Sequence, residues 1–440
     1  NLYVYAGLDN WNWQGDPWYQ SYYGGNIVLG ASSQIYGGTV ELIANRGTDD
    51  DTTGNITQSA GGHLGVTGMP SLYAYAAGNV ELLGTTVVDF GAPVYIEAGY
   101  DYPDDWNQEF QDKHISINSL SAYGSGVILN ATGSIVANMQ DVNSIQADIS
   151  NSNSGGIQIK NTGVLPPGGV TLTDNTNPVN SVNMASASFL NTGDISSTSG
   201  ITLVTPNGGD LALLSNETIN WNGGTLSTPS GSVLMAALGT IDVNSALSQP
   251  VDLALSSGVA INVNNSVSTS GTGTIALIAP SVNINFSGSA MTPSVGAADD
   301  VGIVAGTINL GIGTYTRAYH DVIFAAGNVT ATSASVWANH DIVAAVAGDL
   351  RLNGSSAYGG SSFTAGNDIF IKLLGANSTL YLNDVAGLPH SYLLAQAPPT
   401  IHLDFPGRAA GGMTVDGVAV DPLKFAAASS IDGCTRSSEE

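Results

Sequence analysis

The sequence has one cysteine, few basic residues and no long apolar run. Cys434 alone among 440 residues excludes an internal disulfide framework and a cysteine-based zinc site. Nine lysines and arginines stand against 35 aspartates and glutamates, and the formal net charge is -26. Because Lys113 and Lys160 are the only basic residues between Gly47 and Thr316, neither nucleic acid nor an anionic membrane surface is an expected partner. Gly, Ser, Thr or Asn interrupts every apolar stretch before it could span a bilayer.

Long helix-forming runs of Ala, Leu, Glu and Lys are also scarce, while the chain contains 55 glycines. Only 10% of the residues are charged, yet 43% are hydrophobic, so the chain has enough apolar side chains for a packed core. These apolar residues form short β-branched clusters separated by turn formers, which predicts many short strands joined by tight turns. We therefore expect an all-β protein.

Two segments repeat one pattern about twenty residues apart, a spacing typical of stacked architectures. "RAYHDVIFAAGNVTA" runs from Arg317 to Ala331, and "WANHDIVAAVAGDLRL" runs from Trp337 to Leu352. The His-Asp pair and the Gly-polar-apolar triplet recur in both. The sequence therefore predicts a solenoid.

The repeat extends towards the amino terminus in two interleaved families of short apolar clusters. A single coil cannot cover its own apolar face, so we expect a parallel β-helix with about 20–21 residues per coil, whose coils stack with like residues in register. A β-sandwich array is the alternative, but its strands would recur in blocks of roughly 100 residues. The first family is predicted to form one inward-facing stack: Ile241, Ile261, Val282, Ile308, Val329 and Leu350. The second family includes Leu211, Val233, Leu253 and Ile275.

The regularity divides the chain into three predicted regions. Residues 1–114 are expected to be coils with aromatic and acidic loop insertions, and residues 115–387 are expected to be a regular β-helix. Prolines from Pro389 to Pro422 interrupt the pattern in residues 388–440. We interpret this last region as a cap or an anchoring tail, because a solenoid needs its open end covered.

Several phrases in residues 24–384 resemble the repeats of filamentous-haemagglutinin-like exoproteins, the secreted partner in bacterial two-partner secretion. They are "ANHDIVAAVAGDLRLNG", "AAGNVTAT", "AAGNVELLG" and "AGNDIFIKL". The resemblance implies a right-handed parallel β-helix, export through an outer-membrane partner, an extracellular or cell-surface location, and a role in adhesion or biofilm. The family's Asn-Pro-Asn-type secretion signature is absent. Because the sequence also starts at Asn1 without a basic-then-apolar leader, we expect a carboxy-terminal fragment processed from a longer precursor.

The sequence is compatible with two functions. The first is a secreted, non-enzymatic adhesin or matrix-filament protein that binds cell surfaces, glycans or copies of itself. The second is a lyase or glycoside hydrolase acting on acidic polysaccharide, since right-handed β-helices also carry such enzymes. Glycoside hydrolysis needs two carboxyl groups across a groove, and adjacent acids such as Asp299 and Asp300 do not establish that arrangement. "GGHLG" around His63 is the nearest match to a polyuronate-enzyme site, although lysine and arginine are largely missing there.

Two groups of residues are candidate metal sites. His320, Asp321, His340 and Asp341 would stack on adjacent coils, either as a two-His, two-Asp metal patch or as corner residues that satisfy turn amides. An acidic loop offers oxygen ligands that suit Ca²⁺, but without an EF-hand pattern a solvated loop is the favoured interpretation. The loop residues are Asp101, Asp104, Asp105, Glu109 and Asp112. No other cofactor is expected.

An aromatic cluster and the lone cysteine are candidates for contacts with other molecules. The aromatic rings could bind a glycan, or pack as a cap or interface. The cluster contains Trp11, Trp13, Trp18, Tyr19, Tyr22 and Tyr23. Cys434 lies among small, polar and charged residues in "SSIDGCTRSSEE", so it is expected to be reachable. It could tether a neighbouring subunit by an intermolecular disulfide or remain a free thiol in a frayed tail.

Overall fold

The protein is described by a computed structural model, and the chain divides into two compact units. One unit contains Asn1–Glu217 and Ser227–Gly231, and the other contains Thr218–Leu226 and Ser232–Glu440. The residues that the structure describes are 2–6, 25–44, 54–67, 71–88, 92–99, 113–122, 125–142, 144–149, 157–162, 170–172, 187–191, 194–197, 202–204, 210–228, 230–289, 292–383, 388–396, 400–405, 413–415, 418–420 and 430–432.

The described residues form strands and turns, with no helix among them. Up to residue 217 the strands are β1 Leu2–Ala6, β2 Ile27–Leu29, β3 Gln34–Gly37, β4 Val40–Ala44, β5 Ile56–Gln58, β6 His63–Val66, β7 Leu72–Ala76, β8 Val80–Val88, β9 Val94–Ala98, β10 Ile115–Ala122, β11 Gly126–Ala131, β12 Ile135–Gln140, β13 Ser144–Ile149, β14 Ile157–Thr162, β15 Val170–Leu172, β16 Ala187–Asn191, β17 Ile195–Ser197, β18 Thr202–Val204 and β19 Leu211–Ser215.

From residue 218 onward the strands are β20 Ile219–Trp221, β21 Thr225–Ser227, β22 Val233–Ala237, β23 Ile241–Val243, β24 Leu247–Gln249, β25 Leu253–Ser257, β26 Ala260–Val263, β27 Val267–Thr269, β28 Ile275–Ile284, β29 Val295–Ala297, β30 Val301–Leu310, β31 Tyr315–Ala318, β32 Val322–Thr332, β33 Ser335–Ala338, β34 Ile342–Val346, β35 Leu350–Asn353, β36 Ser362–Ala365, β37 Ile369–Leu373, β38 Leu380–Asn383, β39 Tyr392–Ala395, β40 Ile401–Asp404, β41 Met413–Val415, β42 Val418–Val420 and β43 Ser430–Asp432.

Parallel pairing in register organises the first unit. Strands β1, β4, β7, β9 and β11 pair in succession through the inward positions that include Leu72 and Val94. Strands β2, β5, β8, β10 and β12 form a second series through positions that include Ile56 and Val80. These four residues are fully buried and alternate with outward-facing neighbours, so each strand contributes one apolar face to the core.

The second unit confirms the predicted inward stack. Ile241 pairs with Ile261, Ile261 with Val282, and the series continues without a break through Ile308 and Val329 to Leu350. All six side chains are fully buried. In the second predicted family, Val233, Leu253 and Ile275 also pair in register. A β-sandwich would need antiparallel sheets, so the parallel pairing excludes that alternative and supports an all-β parallel solenoid.

Three long strands, β28, β30 and β32, contribute residues to both predicted families of inward positions, because each strand turns a corner. In β30 the buried positions are Val301 and Ile303 before the corner, and Ile308 and Leu310 after it, so the alternation shifts by one residue. Gly306 lies at this corner, where an added Cβ atom would approach the Pro280 carbonyl oxygen to 2.7 Å. The close approach of successive coils therefore requires glycine at this position.

A third series of strands completes the coils of the second unit. Strands β24, β27, β29, β31, β33, β36 and β39 pair in parallel, and β43 then pairs with β39 in the antiparallel direction. Strand β42 pairs with β41 in the same antiparallel way. Parallel strands thus continue into the proline-containing tail before the direction reverses. No helix that could cross a membrane occurs in the described part of the chain.

Candidate functional site

The candidate residues of three predicted sites lie outside the described residues. These are the aromatic cluster from Trp11 to Tyr23, the acidic loop from Asp101 to Asp112, and Cys434. Their roles stay predictions. His63 is described and is an exposed residue at the start of β6. The candidate sites that the structure does describe lie on the outward-facing sides of the coils.

The predicted His-Asp patch forms a carboxylate ladder at one corner of the second unit. The carboxylate ladder consists of Asp300, Asp321, Asp341 and Asp368, which occupy equivalent positions on successive coils. Each accepts a backbone N–H from the next coil: Asp300 Oδ1 from Asp321 at 2.9 Å, Asp321 Oδ1 from Asp341 at 2.9 Å, and Asp341 Oδ1 from Asp368 at 2.9 Å. Asp368 Oδ1 accepts the N–H of Thr400 at 2.8 Å. The prediction that the stacked corner residues satisfy turn amides is confirmed for Asp321 and Asp341, whereas the rings of His320 and His340 contact carboxylates.

Two histidines stack beside this ladder. The rings of His320 and His340 lie 4.8 Å apart with an interplanar angle of 5°. Nδ1 of His320 lies 2.9 Å from Asp300 Oδ1 and 3.4 Å from Asp321 Oδ2, so it is held between carboxylates of two coils. The hydrogen bond to Asp300 raises the pKa of His320, and the negative charge of Asp321 adds to the increase.

The same corner also brings potential metal ligands together. His320, Asp321 and His340 place one potential ligand atom each within 4.8 Å of one another, and so do Asp299, Asp300 and His320. However, the two imidazole rings are nearly parallel, so the in-plane lone pairs of their nitrogens lie in separate parallel planes and do not converge on one ion. Asp321 Oδ1 already accepts a backbone N–H. The geometry therefore favours a structural corner over a shared metal centre.

A second feature is a tyrosine face on the outward side of β7 and β9 in the first unit. The Tyr73 and Tyr95 rings stack at 5.2 Å with an interplanar angle of 9°, and Tyr73 and Tyr75 lie 6.1 Å apart at 15°. Glu97 is the register partner of Tyr75, and burial raises its pKa from 4.5 to about 7. On the next coil its partner is Asn130, whose Oδ1 is buried and accepts no hydrogen bond from the residues that the structure describes. A protonated Glu97 is the matching donor for such an acceptor.

The sequence reasoning missed this tyrosine face. The signal was the alternation in "LYAYA" at 72–76 and "VYIEA" at 94–98, which places the tyrosines and the glutamate on the side opposite the core. The alternation within one strand does not reveal the face, because Tyr73 and Tyr95 become neighbours only through the parallel register of two coils.

A third feature is a pair of amide ladders on the second unit. In one, Asn244 donates to Asn222 at 3.0 Å, Asn264 to Asn244 at 2.9 Å, and Asn285 to Asn264 at 2.9 Å. The other ladder contains Asn262 donating to Asp242 at 2.6 Å, Asn283 to Asn262 at 2.8 Å, and Asn309 to Asn283 at 2.8 Å. Apart from the Asp242 carboxylate, both ladders present uncharged amide groups, one on each successive coil.

Comparison of the chain with protein-family models, with curated proteins and with solved structures gave no match.

Proposed function

We propose that the protein is a secreted, non-enzymatic β-helical adhesin or extracellular filament protein. The observation that carries this proposal is the pair of amide ladders, in which the same polar group recurs on successive coils. Each amide makes a weak contact with a partner, and regular repetition lets many such contacts act together. The partner is a cell-surface glycan or protein, or a further copy of this chain.

We further propose a right-handed helix with about 20–21 residues per coil. In the ladders, bonded partners from adjacent coils are separated by 20 residues for Asn262 and Asp242, and by 21 for Asn283 and Asn262. The separation increases to 26 for Asn309 and Asn283. A constant short coil with occasional insertions accounts for these values. The handedness rests on the resemblance of the repeat phrases to filamentous-haemagglutinin-like exoproteins, which also suggests an extracellular location and export through an outer-membrane partner.

Adhesion is tested with purified protein coupled to beads at several surface densities. Beads should bind cells or further copies of the chain, and retention under flow should rise more steeply than density, because multivalent binding depends on simultaneous contacts. Beads carrying heat-denatured protein are the control. Absence of both cell binding and self-association at every density would reject the proposal.

The alternative function, an enzyme acting on acidic polysaccharide, is favoured by one observation. Glu97 has a pKa of about 7 beside stacked tyrosines, and a carboxyl protonated near neutral pH can act as a general acid. Incubation with polyuronates, followed by assay of new reducing ends and unsaturated products, separates the two functions. Turnover that is abolished by Glu97→Gln would establish the alternative and contradict a non-enzymatic role.

A further inference from the structure

An uncharged apolar face lies on the outward side of the second unit. It consists of the first two outward positions on each of six successive coils, in strands β22, β25, β28, β30, β32 and β34, which pair in parallel register. Of these twelve positions only Ser256 is polar, and none is charged. The larger side chains reach solvent: Leu234 is 38% exposed, Ile278 48%, Val304 50% and Ile323 40%.

This face contrasts with the acidic character of the whole chain. Its length is about 24 Å at a strand spacing of roughly 4.8 Å, and two alternate positions with their side chains are roughly 10 Å wide, so its area is about 240 Å². A contiguous apolar patch that approaches a few hundred Å² is a candidate interaction surface. Two copies that each carry a net charge of -26 repel one another, so they approach at the lowest electrostatic cost through a face without charge.

Large and small side chains lie side by side across the apolar face. On five of the six coils, one of the two positions holds a large apolar residue and the other holds alanine or glycine. The large residue occupies the first position on three coils and the second position on two, so ridges and recesses are interspersed. The pairs are Leu234 with Ala236, Ala276 with Ile278, Gly302 with Val304, Ile323 with Ala325, and Val343 with Ala345.

This arrangement makes the apolar face complementary to itself. A two-fold axis along the stacking direction, midway between two such faces, places the first position of each coil opposite the second position of the same coil in the other copy. Val304 then meets Gly302 of the other copy, and Val343 meets Ala345 of the other copy. An axis along the strands, through the middle of the face, instead places Ile278 against Val304. Because the side chains of facing sheets interdigitate, a large residue opposite a small one packs best, which favours the first axis.

The two coils beyond the apolar face carry charges in a compatible arrangement. Strand β37 has Phe370 and Lys372 at the equivalent positions, and β40 has His402 and Asp404. The first axis places Phe370 opposite Lys372 and His402 opposite Asp404 of the other copy, so no like charges meet. Within one chain, Lys372 Nζ lies 3.1 Å from Asp404 Oδ2, and His402 Nε2 lies 3.9 Å from Asp368 Oδ2. Pairing of the two faces requires neither contact to break.

We propose that the apolar face is a self-association surface, on which a second copy of the chain packs about a two-fold axis. This inference rests on the proposed function, which names a further copy of the chain among its partners, and it assigns a surface to that partner. The area per copy is below the roughly 800 Å² of a standard stable interface, so the dimer is weak and depends on protein concentration.

The first test measures the oligomeric state of the unmodified protein by sedimentation equilibrium, from about 1 μM to about 1 mM. A reducing agent is present, so that Cys434 cannot join two copies. The mass should rise from that of one chain to that of two. Raising NaCl to about 1 M should strengthen the dimer, because salt screens the repulsion between acidic chains while the contact itself is apolar. A single chain at every concentration, or a dimer that salt dissociates, would overturn the proposal.

The second test places the same charge on and off the apolar face. Val304→Asp should weaken the dimer at least tenfold, because the contact then buries a carboxylate among apolar side chains. Val136→Asp is the matched control, since Val136 is a 42% exposed valine on β12 in the first unit. Circular dichroism checks that both variants fold. An unchanged dimer in folded Val304→Asp, or an equal loss in Val136→Asp, would contradict the assignment.

The third test depends on the direction of the two-fold axis and decides the question if Val304→Asp does not fold. Ala345→Ile should weaken the dimer at least tenfold, because the facing residues at 343 and 345 are then both large. The double variant Val343→Ala/Ala345→Ile exchanges the large and small positions, so it should dimerise as the unmodified protein does. A folded double variant that dimerises no better than Ala345→Ile would reject this packing.

The bead assay distinguishes failure of this inference from failure of the proposed function. If beads bind cells while the unmodified protein stays a single chain at every concentration, the assignment of the apolar face fails and the adhesive function stands. If the protein dimerises through this face while Val304→Asp beads neither bind cells nor self-associate, the assignment of the face stands and adhesion through the amide ladders fails.

Discussion

At the scale of single residues, the chain uses its carboxyl groups in two opposite environments. The carboxylates at the second unit's corner accept backbone N–H groups and contact histidine. Glu97 is withdrawn from water beside tyrosines, which favours the neutral form. The same residue class therefore satisfies backbone donors at one site and has a raised pKa at the other.

The corner gives a prediction about His320. Asp300→Asn should lower the pKa of His320, because the bond to Asp300 is the largest cause of its increase, while the amide oxygen can still accept the Asp321 N–H. A raised histidine pKa stabilises the folded state below the unfolded pKa, and this contribution is lost as pH rises through the folded pKa. An NMR titration of His320 measures the change. Asp299→Asn, at the smallest contributor, is the control, and an equal decrease in both variants would contradict the prediction.

Glu97 gives a prediction of pH-dependent stability. Its folded pKa of about 7 exceeds its value of 4.5 outside the fold, so the folded state binds more protons between those pH values and stability decreases as pH rises through them. Glu97→Gln should therefore unfold like the unmodified protein at pH 4 and be more stable at pH 8, by up to about 3 kcal/mol. Urea unfolding at both pH values measures this. An equal difference at pH 4 and pH 8 would argue against the raised pKa.

At the scale of elements, strand β32 shows how one strand serves core and surface at once. Val329 is fully buried in the inward stack, whereas Ile323 on the same strand is 40% exposed. Both are β-branched, so their different environments come from the side of the strand on which they lie.

This contrast predicts different effects for the same substitution. Val329→Asp should reduce the free energy of unfolding by about 3–5 kcal/mol, because it buries an uncompensated charge among apolar neighbours. Ile323→Asp should reduce it by much less, since water reaches that position. Thermal and denaturant unfolding of both variants provide the measurement, and similar stability of Val329→Asp and the unmodified protein would contradict the inward assignment.

At the scale of the whole molecule, the lone thiol carries the prediction about assembly. We expect Cys434 to form an intermolecular disulfide, because small, polar and charged residues surround it in the sequence and the proposed extracellular location is oxidising. Non-reducing electrophoresis of material harvested with thiols blocked should show a dimer band that Cys434→Ser removes. A band only at monomer mass, with Cys434 fully alkylated, leaves the free thiol as the explanation.

The sequence by itself determined the strand register, because inward positions repeat locally with a period of two and turn residues mark each coil. Ile241 to Leu350 could therefore be aligned without coordinates. The corner role of Asp321 and Asp341 followed from the same alignment. Only the tertiary structure decided which outward side chains meet across coils. Insertions change the separation of bonded partners from 20 residues at Asn262 to 30 at Thr379, and burial, which sets the pKa of Glu97, depends on everything packed around a group.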